Sequence, residues 1–304
     1  SYINIISKKM EETKEFKRRS YLSCISAAYR FVAGDFLNIY KSNWKIFFTF
    51  AVASGILGTW GMTLAPGATY IGIDLEPTEL TLCGVLVAVL NLVLAAAAYS
   101  GINKRGNTWN IMRSLKFLPF ALAFVLLYAV ITAVACFMYL SQIKDPASVP
   151  LLTVLGIAGC VGLVWIFVCL PLSYVNVKYM VEPETDLTKI FGSSYVVGIR
   201  HIWFIFTTNF LAVLCACIVR LVLCLPVFVM LFALNISSFG TAAYGDESGM
   251  PGYFIPLYLL FSLVAGLVDV YIAVFVIRVN YHVYETIGSK IKTANEKIDN
   301  KQMN

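Results

Sequence analysis

Residues Phe254–Val279 read FIPLYLLFSLVAGLVDVYIAVFVIRV, an apolar run with one aspartate near its middle. At 1.5 Å per residue, a helix of this length exceeds the hydrocarbon core of a bilayer, which is about 30 Å thick. Five similar stretches precede it, at residues Trp44–Leu64, Leu80–Ile102, Phe117–Leu140, Pro150–Val175 and Ile202–Leu234. The sequence therefore predicts an all-α integral membrane protein with six transmembrane helices.

The composition agrees with a membrane protein. Of the 304 residues, 59% are hydrophobic and 13% are charged, whereas about 25% are charged in an ordinary soluble domain. We expect a cytoplasmic segment at residues 1–43, a membrane domain at 44–280 and a cytoplasmic tail at 281–304. The net charge of +6 does not indicate nucleic-acid binding, because the basic residues are sorted by membrane side.

Lysine and arginine flank the predicted spans on alternate sides. They cluster before span one, between spans two and three, between spans four and five, and after span six. The other three connections hold only Lys144. Because basic residues resist translocation, this asymmetry predicts that both termini lie in the cytoplasm. The first 20 residues lack an apolar core, so we expect no cleaved signal peptide there.

The six spans divide into three hairpins, each preceded by an amphipathic cytoplasmic helix. In the first such helix, apolar residues recur every three or four positions, at Leu22, Ile25, Tyr29, Val32, Phe36 and Ile39. Shorter versions occupy residues 109–116 and 187–195. Such helices either lie in the headgroup plane or pack under the bundle between spans, and both interpretations stay open here.

Span five is too long for one straight crossing. Residues Ile202–Leu234 number 33, which is about 50 Å of helix. Either the ends of this helix emerge from the bilayer, or it kinks at Pro226, whose ring removes one backbone hydrogen bond.

Two opposite charges, Arg220 and Asp269, lie inside the last two spans. A charge at the bilayer centre costs at least about 2.5–3.5 kcal/mol, so such groups usually find a partner. Arg220 lies 14 residues before the end of span five, and Asp269 lies 15 residues after the start of span six. Antiparallel helices would bring them to similar depth, and we predict an ion pair.

This pair has two interpretations. It either fixes the register of two helices or lines a cavity, where an anionic or zwitterionic ligand meets Arg220 or Asp269 exchanges a proton. Asn209 and Asn91 are the other intramembrane polar residues that we expect to join an interior site.

Interfacial residues mark the starts of three spans. Lys41 stands three positions before Trp44, and Arg200 stands three positions before Trp203. Trp109 precedes span three, and we interpret all five as interfacial anchors. With the repeated hairpin plan, the pairs Lys41/Trp44 and Arg200/Trp203 make the chain resemble bacterial six-span membrane proteins related to glycerophosphodiesterase membrane domains. The resemblance implies a bacterial inner-membrane location and supplies no functional residues.

The sequence contains no nucleophile elbow, no His-Glu-x-x-His helix, no phosphate-binding glycine loop and no paired-cysteine zinc site. Seven of the eight cysteines fall inside predicted spans, which indicates packing rather than a disulfide framework. We therefore expect no catalytic residue, no cofactor and no metal.

The leading hypothesis is a non-enzymatic scaffold or lipid-organising module whose partners are membrane lipids and other membrane proteins, without nucleic acid. The alternative is a small transporter or permease with its site at Arg220 and Asp269. The sequence indicates no oligomeric state.

Overall fold

A computed structural model describes residues 19–63, 77–141, 151–183, 187–244 and 251–302. These ranges hold eight helices and no strand. The helices are α1 (Tyr21–Thr63), α2 (Pro77–Asn103), α3 (Asn107–Leu140), α4 (Leu151–Val181), α5 (Leu187–Arg200), α6 (Ile202–Leu223), α7 (Leu225–Tyr244) and α8 (Phe254–Gln302). The predicted all-α class is confirmed for the described part of the chain.

Five of these helices, α2, α3, α4, α6 and α8, are long and apolar enough to cross a membrane. The sequence predicted six such helices. The predicted first span, Trp44–Leu64, forms the second half of α1 and runs past the described residues, so the number of five neither confirms nor contradicts it.

The predicted span five is two helices in the structure. The helix breaks at Cys224, and the amides of Val227 and Phe228 both donate to the Cys224 carbonyl, at 3.0 and 3.2 Å. Pro226 therefore lies in the first turn of α7, where its missing N–H needs no partner. The 22 residues of α6 make about 33 Å of helix, which suffices for one crossing.

The three predicted amphipathic segments differ from one another in the structure. Residues 109–116 are the first turns of α3 and form no separate helix. The third segment is the separate helix α5, which packs against α4: the Tyr195 hydroxyl donates to the Val168 carbonyl at 2.8 Å. A Cβ atom at Gly198 would lie 2.8 Å from Cβ of Pro171, so glycine permits this close approach.

The first segment is continuous with the rest of α1, apart from a bend at Asn43, where φ is −120° and ψ is 15°. The Asn43 side chain is buried and donates to the Ile39 carbonyl at 3.2 Å and to Ser100 Oγ at 3.1 Å. It accepts a hydrogen bond from Asn107 Nδ2 at 2.8 Å. The bonds with Ser100 and Asn107 attach α1 to α2 and α3 at the bend.

The chain divides into two compact units. Unit 1 comprises residues Ser1–Ala27, Arg113–Phe210 and Val279–Asn304, and unit 2 comprises Ala28–Met112 and Leu211–Arg278, as far as these ranges are described. Their boundaries do not follow the three predicted hairpins, and the internal repeat stays a prediction.

In unit 2, α1 packs closely against α8. A Cβ atom at Gly266 would lie 2.5 Å from Ser54 Oγ and 2.8 Å from Cα of Ala51. Nearer the start of α1, the rings of Phe36 and Tyr271 lie 5.3 Å apart. Small residues let helix backbones approach where hydrocarbon surrounds the bundle.

We predict that Gly266→Ala lowers the free energy of unfolding by about 1–3 kcal/mol, because the added methyl group overlaps α1. The matched control is Gly34→Ala on α1. A Cβ atom there would meet nothing within 4 Å. Because alanine is a better helix former than glycine, this substitution should be neutral or stabilise the protein by up to about 1 kcal/mol. Thermal unfolding in detergent micelles measures both. Equal midpoints for the two variants would contradict the close contact.

Candidate functional site

The structure brings Arg220 and Asp269 together. Nη2 of Arg220, in the last turn of α6, donates to Oδ2 of Asp269 on α8 at 3.2 Å. The Arg220 side chain is 56% exposed and the Asp269 side chain 27% exposed. The pair therefore lies at the edge of unit 2, and its arginine faces outward rather than into a closed polar interior.

The other predicted polar residues bond to their own helices. Asn209 Nδ2 donates to the Ile205 carbonyl at 3.0 Å, and Asn91 Nδ2 donates to the Val87 carbonyl at 2.8 Å. Asn91 is exposed, and the structure does not bring it to the ion pair. An amide that bonds one turn back needs no partner on another helix.

The predicted interfacial anchors lie mostly at the surface. Trp44, Trp203, Lys41 and Arg200 are exposed. Trp109 is half-buried, with the Arg105 guanidinium 5.1 Å from its ring centroid. Exposed tryptophan beside a basic residue is typical of a membrane–water interface.

A cavity of about 590 Å³ lies within unit 2, between α1, α6 and α8. Its walls come from α6 between Cys215 and Leu223, from α8 between Val264 and Phe275, and from α1 at Tyr29, Phe36, Leu37 and Tyr40. The α1 residues belong to the segment predicted to be amphipathic. That segment therefore covers part of α8 instead of lying apart from the bundle.

The cavity walls are apolar. Three phenol hydroxyls and the Cys215 thiol are the only polar side-chain groups among the lining residues. The wall residues Val219 and Val268 directly precede Arg220 and Asp269, so the ion pair lies beside the cavity without lining it. Such walls suit hydrocarbon and lack the convergent polar groups that bind a water-soluble ligand.

A second polar cluster lies in unit 1, and sequence reasoning missed it. Arg19 forms an ion pair with Glu285, and His282 Nδ1 lies 2.8 Å from Arg19 Nη1 and 2.9 Å from Glu285 Oε2. Cys24 Sγ lies 3.7 Å from Thr286 Oγ1. The spacing of His282, Glu285 and Thr286 on one helical face was a signal, but nothing in the sequence connected that face to Arg19.

Arg113 and Glu182 close the C-terminal end of α4 in the same unit. The Arg113 guanidinium donates to the Pro183 carbonyl at 2.7 Å and to the Glu182 carbonyl at 2.9 Å. The Tyr284 hydroxyl donates to the Glu182 carboxylate at 2.6 Å. The carbonyls of Glu182 and Pro183 directly follow the last residue of α4, and the cation lies at the negative end of the helix dipole.

Burial and nearby charges shift the pKa of two groups of unit 1, Cys24 and His201. Burial raises the pKa of the Cys24 thiol, while the hydrogen bond with Thr286 and the charge of Arg19 act in the opposite direction. Burial lowers the pKa of His201, as do the positive charges of Lys290 and Arg200. The thiolate of Cys24 and the imidazolium of His201 are therefore both disfavoured.

No family model, curated protein or solved structure matches this chain. Within the described residues, no three His, Cys, Asp or Glu side chains form a group that could hold a metal ion. The cavity and the two polar clusters are therefore the features of the molecule that bear on its function.

We predict that Asp269→Asn destabilises the protein by up to about 2.5–3.5 kcal/mol, because it leaves the Arg220 charge without its counterion among apolar helices. Arg220→Gln combined with Asp269→Asn should recover much of this loss. Asn91→Ala, which removes a polar group bonded to its own helix, is the control and should change little. Thermal unfolding in detergent measures all three, and a double variant as unstable as the single one would show that the pair does more than neutralise Arg220.

We predict that Glu285→Gln weakens the contact of the N-terminal part of α1 with α8 by about 1.5–3 kcal/mol, which is typical of hydrogen bonds to charged groups. Alkylation of the buried Cys24 should then speed up at least about tenfold, because local opening exposes it. Mass spectrometry after timed alkylation measures this rate. Asp35→Asn, which removes an exposed carboxylate of α1, is the matched control, and equal rates in the two variants would contradict the role of the ion pair.

Proposed function

We propose that this chain is a six-span protein of the bacterial inner membrane, with both ends in the cytoplasm, that organises lipid without catalysing a reaction. Basic residues cluster in alternate connections between the predicted spans, which supports this orientation. Five long apolar helices support multiple crossings. Residues 44–63 of α1 would supply the sixth crossing, since they make about 30 Å of helix.

The cavity of about 590 Å³ in unit 2 carries the proposal. Its size falls within the range of about 300–1,000 Å³ that is typical of ligand pockets. Two of its three walls come from the parts of α6 and α8 that the sequence places inside the bilayer. We infer that a lipid acyl chain occupies it.

Hydrocarbon suits this cavity better than water does. A buried water needs two to four polar partners, and an apolar cavity stays dry. Leu37 is 69% exposed and Val264 is 47% exposed, so the cavity opens at the surface of unit 2 and a chain from the bilayer can enter it. Filling the space restores the dispersion contacts that an empty cavity lacks.

The second candidate is a small transporter or permease. One observation favours it: the Arg220–Asp269 pair lies one residue beyond two cavity-wall residues, Val219 and Val268. A permease would have to open the apolar cavity toward the pair and separate the two charges during its cycle. A lipid-organising module needs neither movement, and the apolar walls support it as the leading function.

We predict that Ala216→Phe reduces the lipid that co-purifies with the protein, because a phenyl ring at this wall position fills part of the cavity. Cys217→Phe adds a similar side chain at the next position, which is exposed and does not line the cavity. Native mass spectrometry of both variants, extracted in the same mild detergent, counts the lipids retained.

Wild-type protein and Cys217→Phe should retain lipid, and Ala216→Phe should lose it while its thermal unfolding stays cooperative. Equal retention by Ala216→Phe and Cys217→Phe would show that the cavity does not hold the lipid.

A further inference from the structure

The cavity alone cannot select one lipid from another. Lipid tails are as apolar as the cavity walls, so a chain gains little free energy by moving from the bilayer into the cavity. Selection therefore depends on the head group, and the groups that bind it should lie on the protein surface beside the cavity opening.

One strip of α1 meets this requirement. Arg30, Gly34, Leu37 and Lys41 follow one another at steps of four, three and four residues, which places them on one helical face. We call these four residues the head-group strip. Leu37 also lines the cavity, and Arg30 and Lys41 directly follow the wall residues Tyr29 and Tyr40. The strip is therefore the rim of the cavity on its α1 side.

The strip is exposed and cationic. Arg30 and Lys41 are both exposed, and among the described residues neither forms an ion pair with a carboxylate. They lie about 16 Å apart along the helix axis. Between them, a Cβ atom at Gly34 would meet nothing within 4 Å. Long basic side chains can lean over this open position and bring their charged ends toward one group.

The strip also lies near the expected depth of lipid phosphates. Lys41 stands three residues before Trp44, where the first predicted span begins, and Trp44 is 52% exposed. Tryptophan at a span end marks the headgroup level, where basic residues attract anionic lipid.

We propose that the lipid whose chain occupies the cavity is an anionic phospholipid, with its phosphate bound between Arg30 and Lys41. This inference rests on the proposed function and adds the class of lipid. A zwitterionic lipid enters the same cavity with weaker binding, because its own cation opposes the two basic side chains.

The test uses the full chain, delipidated in detergent and titrated with phosphatidylglycerol or phosphatidylcholine of identical acyl chains, with native mass spectrometry as the readout. Wild-type protein should bind phosphatidylglycerol more tightly. Arg30→Gln combined with Lys41→Gln should weaken phosphatidylglycerol binding by about fivefold for each cation removed and leave phosphatidylcholine binding unchanged. Lys116→Gln combined with Lys292→Gln removes two exposed lysines of unit 1 that do not line the cavity and should leave the preference intact.

Each of the following four outcomes would contradict one of the claims above. Equal binding of both lipids by wild-type protein, with Ala216→Phe weakening both, would reject the head-group inference and keep the cavity as a chain site. An equal loss in the Lys116/Lys292 control would show that net charge, and not the strip, attracts the lipid. Displacement of phosphatidylglycerol by inorganic phosphate alone would make the strip a site for the free anion. If Ala216→Phe weakens neither lipid, the proposed function itself fails.

Discussion

A polar group surrounded by hydrocarbon has no water to bond with, and this constraint orders the apolar helices of the chain. Thr208, fully buried on α6, donates to the carbonyl one turn back at 2.8 Å, and Asn91 on α2 does the same. Tyr128 on α3 donates to the Ala158 carbonyl of α4 at 3.0 Å. Arg220 and Asp269 cannot be satisfied by a helix backbone alone, and each neutralises the other.

The same constraint shapes the cavity of unit 2. Its walls can be apolar because the polar side chains nearby are satisfied elsewhere: the ion pair faces the edge of the unit, and Arg30 and Lys41 face the surface of α1. The amphipathic character of α1 therefore has a packing consequence. Its apolar residues cover α8 and enclose space, while its basic residues stay exposed along the rim.

Counting residues along the chain predicted a good part of this arrangement. Long apolar runs are a local property, and they gave the all-α class and most of the helices. The Arg220–Asp269 contact followed from the depth of each charge, because two helices that run in opposite directions bring equal depths together. That count ran from Leu234 back to Arg220 across a break at Cys224 that it did not foresee, and the two charges meet nonetheless.

Other features depend on contacts that periodicity does not encode. The spacing of Phe36 and its neighbours predicted an apolar face on α1. The same spacing fits a face that contacts lipid and a face that packs on another helix. Asn43 reads as an ordinary interfacial asparagine in the sequence. Two of its partners at the bend, Ser100 and Asn107, are 57 and 64 residues away. The Arg19–Glu285 contact joins residues 266 positions apart, and no local pattern indicates it.

The bend in α1 also has a consequence for biosynthesis. While the ribosome is still making α2, the Asn43 amide can reach only the Ile39 carbonyl and Ser42 Oγ, because Ser100 and Asn107 do not yet exist in the nascent polypeptide. The hydrogen bonds that join the first helix to its neighbours at this bend can therefore form only after synthesis has passed residue 107. Until then the bend lacks two of the partners that it has in the finished molecule.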